Sequence, residues 1–184
     1  MTARDFFSRW RVRIGYLLAV VVLFLARPTP RSILFGAVVG MIGLAIRAYS
    51  AGYLHKQEVL STTGPYAYTR NPLYFGSSIL ALGAAVAMRS WLAAALILFY
   101  FAVVYTFVMR REEMELYEKH GAAFAAYAAA VPLFFPGLTP RALAGGVSGS
   151  FSWSQYKRNH EYEAPVGFLL FLILLAVIWR WRAL

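Results

Sequence analysis

Two short polar motifs carry most of the residues in this 184-residue chain that are equipped for chemistry. The first is Gly64-Pro65-Tyr66-Ala67-Tyr68-Thr69-Arg70-Asn71-Pro72-Leu73-Tyr74-Phe75-Gly76. The second, Arg110-Arg111-Glu112-Glu113, continues to Gly121, Tyr127 and Val131-Pro132. Pro72 suits the first turn of a helix, where its missing amide hydrogen costs nothing, and this puts Asn71 at the N-cap. Free backbone amides at a helix start favour a carboxylate or phosphate oxygen. Arg70 adds a planar, permanently charged fork at the same place. Tyr66, Tyr68 and Tyr74 offer hydroxyls to a ligand and ring faces to a cation. Glu112 and Glu113 fall where an apolar run stops. In a partly dry pocket such carboxylates hydrogen-bond ribose hydroxyls or balance a ligand cation. Plainer duties fit the same residues: Asn-Pro starts many helices, Arg flanks many membrane helices, and Tyr is enriched at the headgroup level.

The elements that must position these motifs are membrane helices. The chain is 60% hydrophobic and 14% charged, with a mean hydropathy of +0.58; soluble domains are nearer half apolar and a quarter charged. The expected fold class is an all-α integral membrane protein, a single membrane-embedded domain over 1–184 with about five transmembrane helices. The five apolar stretches are Ile14–Ala26, Ser32–Ala51, Tyr74–Met88, Trp91–Met109 and Val166–Trp181, followed after the fourth by cytosolic amphipathic and loop segments. One there-and-back crossing separates the two motifs, so both should meet at one membrane face. With the N-terminus cytosolic, thirteen Lys and Arg residues lie inside and five outside, which favours that orientation and a cytosolic site. In a bacterium the location would be the inner membrane. The net charge of +10 is then explained by anionic lipid headgroups rather than nucleic acid. Without cysteine there is no disulfide, thiolate metal site or thiol nucleophile.

Outside the motifs, Arg4, Arg9, Arg11 and Arg13 precede an apolar core in the manner of a secretory signal. Leu25-Ala26-Arg27-Pro28 has no small-x-small cleavage site, so a retained first helix is expected. Arg27-Pro28-Thr29-Pro30-Arg31 reads as a tight turn. Gly36-x-x-x-Gly40 permits close helix packing or self-association. Gly121 reads as a helix stop followed by a short helix, Ala122–Ala130, that ends at Val131-Pro132. Residues 137–154, with Gly145-Gly146, read as a loop. Tyr156–Glu163 reads as a solvated face or a substrate entrance. His55, His120 and His160 are too scattered for a metal site, and the absence of a Gly-rich βαβ fingerprint excludes a soluble Rossmann-type domain.

Together the two motifs resemble the isoprenylcysteine carboxyl methyltransferase-like family of membrane enzymes. That family's pattern is Gly-x-Tyr-x-x-x-Arg-His-Pro-x-Tyr-x-Gly, a helical hairpin, Glu-Glu-x-x-Leu, Gly, Tyr and Val-Pro. The match runs over residues 64–136, about two-fifths of the chain, which would form the cofactor-binding core. Asn71 stands where the carboxyl methyltransferases have His; phospholipid N-methyltransferases carry Asn-Pro-x-Tyr-x-Gly and are closer there. The resemblance implies a methyltransferase that uses S-adenosylmethionine and releases S-adenosylhomocysteine. The acceptor would be a lipophilic small molecule or lipid bearing a carboxylate, amine or thiol, reached from the bilayer. By position Arg70, Asn71 and Tyr74 would hold the methionine end, beside Pro72. Glu112 and Glu113 would take the ribose or amino group, and the turn around Tyr66 would cover the cofactor.

An alternative is a non-catalytic lipid-binding or assembly module that retains this fold, for which Asn71 is the sequence support. A reductase built on the same helices would need a nicotinamide site, for which there is no motif. Acceptor identity and oligomeric state stay open at the level of sequence.

Overall fold

The computed structural model describes residues 14–15, 17–55, 59–141 and 149–183. Arg4, Arg9, Arg11, Arg13, Lys56 and Gly145-Gly146 lie outside the described residues. Among those described there are helices and turns but no strand. Helix α1 is described over 17–25, followed by α2 (Pro30–Tyr53), a 3-10 turn (Gly64–Ala67), α3 (Pro72–Met88) and α4 (Trp91–His120). Then come α5 (Ala122–Ala130), α6 (Trp153–Arg158) and α7 (Glu163–Arg182).

Helices α2 and α3 lie antiparallel with their backbones almost touching. A Cβ on Gly36 would sit 2.5 Å from the Gly83 carbonyl, one on Gly43 2.6 Å from the Leu80 amide, and one on Gly83 2.5 Å from the Gly40 amide. Only glycine permits that approach, and close backbone contact replaces the hydrophobic driving force that lipid does not supply. Phe168 of α7 fills the remaining space over Gly40. The glycine face, read from sequence as a packing face that also permits self-association, is thus occupied within the chain.

The turn before α2 is as expected: Thr29 caps the helix and exchanges hydrogen bonds with Ser32, with Pro30 at the first position. Ser32 Oγ also donates to the Ala87 carbonyl (3.0 Å) and the Arg27 amide to Met88 (2.8 Å), fastening this turn to the end of α3. At this end of the bundle Val22, Ala26, Ala87, Met88, Ala93 and Leu175 form a buried apolar cluster.

Three helices, α2, α4 and α7, are long and apolar enough to cross a membrane, whereas α3 is a shorter apolar helix. The expected five spans are therefore represented among the described residues by three, with α3 at 17 residues just reaching the lower bound for a span. Exposed Leu34, Phe35, Phe99, Leu169 and Leu170 lie on the three long helices, as lipid-facing positions should. Helix α4 has 30 residues, about 45 Å at 1.5 Å per residue, against a hydrocarbon core of about 30 Å. It does not stop at Met109, where the apolar run ends, but carries the charged segment through to His120 as one rod.

Gly83→Val should destabilise the protein by about 3 kcal/mol, because a branched side chain has only backbone to displace. Gly167→Ala, where an added Cβ meets nothing within 4 Å, should be neutral or slightly stabilising. Thermal scanning of both variants in detergent checks the contrast.

Candidate functional site

The 3-10 turn depends on Gly64, whose φ of +58 disfavours other residues and whose missing Cβ leaves room for the Tyr53 ring. Pro72 is the first residue of α3, with Asn71 as N-cap, and the Phe75 amide makes the first helical bond to Asn71 (2.9 Å). The Asn71 side chain does not close the helix end. Its Nδ2 donates to the Leu133 carbonyl at 2.9 Å.

That bond is one of a series joining the first motif to the segment after Val131. The Arg70 amide donates to Pro132 O (2.9 Å), Thr69 Oγ1 to Phe134 O (2.9 Å), Gly137 N to Tyr68 O (2.8 Å) and Arg141 N to Ala67 O (2.9 Å). Gly121, at φ +51 with open space around its α-carbon, turns the chain from α4 into α5. There Phe124, Tyr127 and Val131 pack together, and Tyr127 donates to the Tyr66 carbonyl at 2.8 Å. The exit from α5 is therefore a strap that fixes the 3-10 turn and the start of α3.

Of the residues singled out from sequence, Tyr66, Arg70, Asn71, Pro72, Tyr74, Glu112 and Glu113 line one cavity, whereas Tyr68 is not part of its lining. Its volume is about 770 Å³, within the range of small-molecule sites. Arg70 pairs with Glu113 (Nη1 to Oε1, 2.5 Å), both side chains being about six-sevenths buried. The exposed Arg110 reaches the other oxygen of Glu113 at 3.3 Å. Tyr74 donates to Glu112 at 2.5 Å, and the ring of Tyr105 packs edge-on against Tyr74. These ties hold α3 and α4 in register at the polar end of the hairpin.

Two polar atoms in this lining are buried and lack a partner among the described residues: the Tyr66 hydroxyl and Arg70 Nε. Buried polar groups are nearly always satisfied, so these two are exceptions that the described residues do not account for. Burial, then Tyr127, Glu112, Tyr74 and Glu161, hold the Tyr66 phenol well above the ordinary tyrosine range. Burial also raises Tyr127, against an opposing effect of Arg70.

Residues missed from sequence lie on the opposite wall. Arg47 of α2 binds Glu161 through two hydrogen bonds and also donates to Ser77 of α3. An arginine inside an apolar helix was the signal that could have found this group. Glu161 belongs to the patch 156–163, which sequence left undecided. His55, His120 and His160 also border the cavity, but among the described residues no group of three or more His, Asp or Glu comes together as a metal site.

Residues 33–123 match the family model described as phospholipid methyltransferase. The chain carries a phospholipid methyltransferase family domain over these residues, just under half of its length. All seven binding candidates fall within the matched residues, whereas Tyr127 and Glu161 lie beyond them. The chain is 32% identical over 148 residues to the cobalt-zinc-cadmium resistance protein CzcN of Cupriavidus metallidurans, covering 70% of this chain and 66% of that one. It is 35% identical over 107 residues to the nickel-cobalt-cadmium resistance protein NccN of Alcaligenes xylosoxydans xylosoxydans, covering 55% of this chain and 50% of that one. The chain thus spans just under two-thirds and one-half of the length of these curated relatives. No solved structure matches it.

Stability should be flat near neutrality and fall as pH rises above about 10, the unfolded tyrosine value. There the unfolded chain releases protons that Tyr66 and Tyr127 keep in the fold, so the native state is disfavoured. Tyr66→Phe should make this alkaline fall shallower, as read from thermal midpoints between pH 7 and 11.

Proposed function

We propose that the protein transfers a methyl group from S-adenosylmethionine to a lipophilic or membrane-partitioned acceptor at the cytosolic face, releasing S-adenosylhomocysteine. The observation that carries this reading is the pair of buried orphan atoms, Tyr66 Oη and Arg70 Nε, within a cavity that also presents the carboxylates of Glu112 and Glu113 and the phenol of Tyr74. This donor set fits the cofactor, which combines a carboxylate, an ammonium, a sulfonium and ribose hydroxyls. Arg70, beside Asn71, Pro72 and Tyr74, would receive the carboxylate end. Glu112 and Glu113 would receive the ribose or amino group, and Tyr66 would donate from the covering turn. When bound, the cofactor supplies an electrophilic methyl group.

The chain's own residues contribute positioning and exclusion of water, which are the principal means of promoting an in-line displacement. Tyr74 and Arg70 hold the two carboxylates at fixed positions, and the 131–141 strap fixes the wall that bears Tyr66. Asn71 cannot titrate and so is no general base. A carboxylate or thiolate acceptor needs none, whereas an ammonium acceptor must first lose a proton. The excess of Lys and Arg on the segments next to the cavity supports the cytosolic orientation. The relatives' names speak of resistance to metals; methyl transfer in the membrane is the chemistry we assign to this chain, and such resistance a setting in which it would operate.

Calorimetric titration of the detergent-purified protein with S-adenosylmethionine and S-adenosylhomocysteine tests the reading. Wild type should bind both, and Arg70→Ala and Glu113→Ala should each weaken binding by at least about tenfold, the equivalent of about 1.4 kcal/mol. Tyr66→Phe should weaken binding without loss of thermal stability, because the hydroxyl it removes has no partner to lose. A folded wild type that binds neither compound leaves the non-catalytic lipid-binding module as the better reading.

A further inference from the structure

The segment that joins α6 to α7 forms one wall of the cavity through Asn159, His160 and Glu161, continued by Glu163 and Ala164 at the start of α7. Its attachments to the bundle are polar. Asn159 Nδ2 donates to the carbonyls of Ala51 (2.8 Å) and Leu54 (2.9 Å) at the C-terminal end of α2. Glu161, only 6% exposed, accepts from Arg47 twice, Nε to Oε1 at 2.7 Å and Nη2 to Oε2 at 3.0 Å. The third arm of the same guanidinium reaches Ser77 Oγ on α3. One arginine therefore joins α2, α3 and the 159–164 segment. Between Asn159 and Glu163 the chain passes through His160 at φ +54, a left-handed conformation unfavourable for a residue with a Cβ. Such a conformation persists only where the surroundings impose it.

We propose that Arg47 and Glu161 are positioning residues, whose two-armed pair holds residues 159–164 against α2 and α3 as the closing wall of the cavity. A ligand in the cavity then leaves only as fast as that wall opens. The pair suits a wall that must open: separating it wets two charges that water solvates well, whereas separating an apolar contact would leave greasy surface exposed on a membrane-edge loop. Planar two-armed geometry matters as well as charge, since it fixes the direction of the segment. The identity of the ligand rests on the methyltransferase reading; the fastening itself does not.

The test uses the full chain in lipid nanodiscs, as wild type, Glu161→Gln, Arg47→Gln and the double variant. Hydrogen exchange is read over 159–163, and dissociation of S-adenosylhomocysteine is followed by surface resonance. Each single variant should speed exchange and ligand dissociation by about tenfold or more, a change worth about 1.4 kcal/mol. The double variant should be no worse than either single one, because the two positions act as a unit. Additive effects, or unchanged exchange in Glu161→Gln, overturn the fastening. Faster exchange with an unchanged dissociation rate overturns the positioning role. A wild type that does not bind S-adenosylhomocysteine sinks the methyltransferase reading, and the fastening is then decided by the exchange data alone.

Discussion

Contact between the backbones of α2 and α3 sets the register of the two helices that carry Arg47, Tyr74 and Ser77. Gly36, Gly40 and Gly43 on one helix meet Gly76, Leu80, Gly83 and Ala87 on the other, with no side chain between the axes along much of that line. In lipid such a contact gains dispersion and loses little solvation, because the hydrocarbon it displaces is as apolar as the helices. The same antiparallel register that seats Gly43 on Leu80 places Arg47 beside Gly76 and Ser77. A shift of one turn along α3 would separate that arginine from its serine and move Arg70 and Tyr74 away from Glu113 and Glu112.

Above this contact, the site is assembled by backbone hydrogen bonds more than by packing. The strap after Val131 accepts from or donates to Ala67, Tyr68, Thr69, Arg70 and Asn71 in turn. It acts like an added strand without being one. Helix α4 complements it by continuing unbroken past the end of its apolar run, which brings the Glu112–Glu113 pair to the height of Tyr74.

Much of this could be read from residue order. Pro72 announced the start of α3, Gly121 the break between α4 and α5, and the apolar hairpin the meeting of the two motifs. Less visible were interactions that depend on chain segments far apart. Arg47 and Glu161 are 114 residues apart, and nothing local marks either as the other's partner. The number of spans was also obscured, because α3 is short and its length is set by the turns fastened at both ends rather than by bilayer thickness. The destination of the glycine face was open from sequence, since small residues spaced four apart serve an intramolecular neighbour and a second copy alike.

The hydrogen bond from Asn71 Nδ2 to the Leu133 carbonyl bears on how this sequence is compared with carboxyl methyltransferases. In this chain the side chain at 71 acts as a tether: it donates a proton across a turn and holds the strap. Histidine also carries a ring N–H donor, so the two residues can share that duty without sharing any titration chemistry. What the fold of this chain uses at position 71 is thus an N–H donor, a rivet that asparagine supplies.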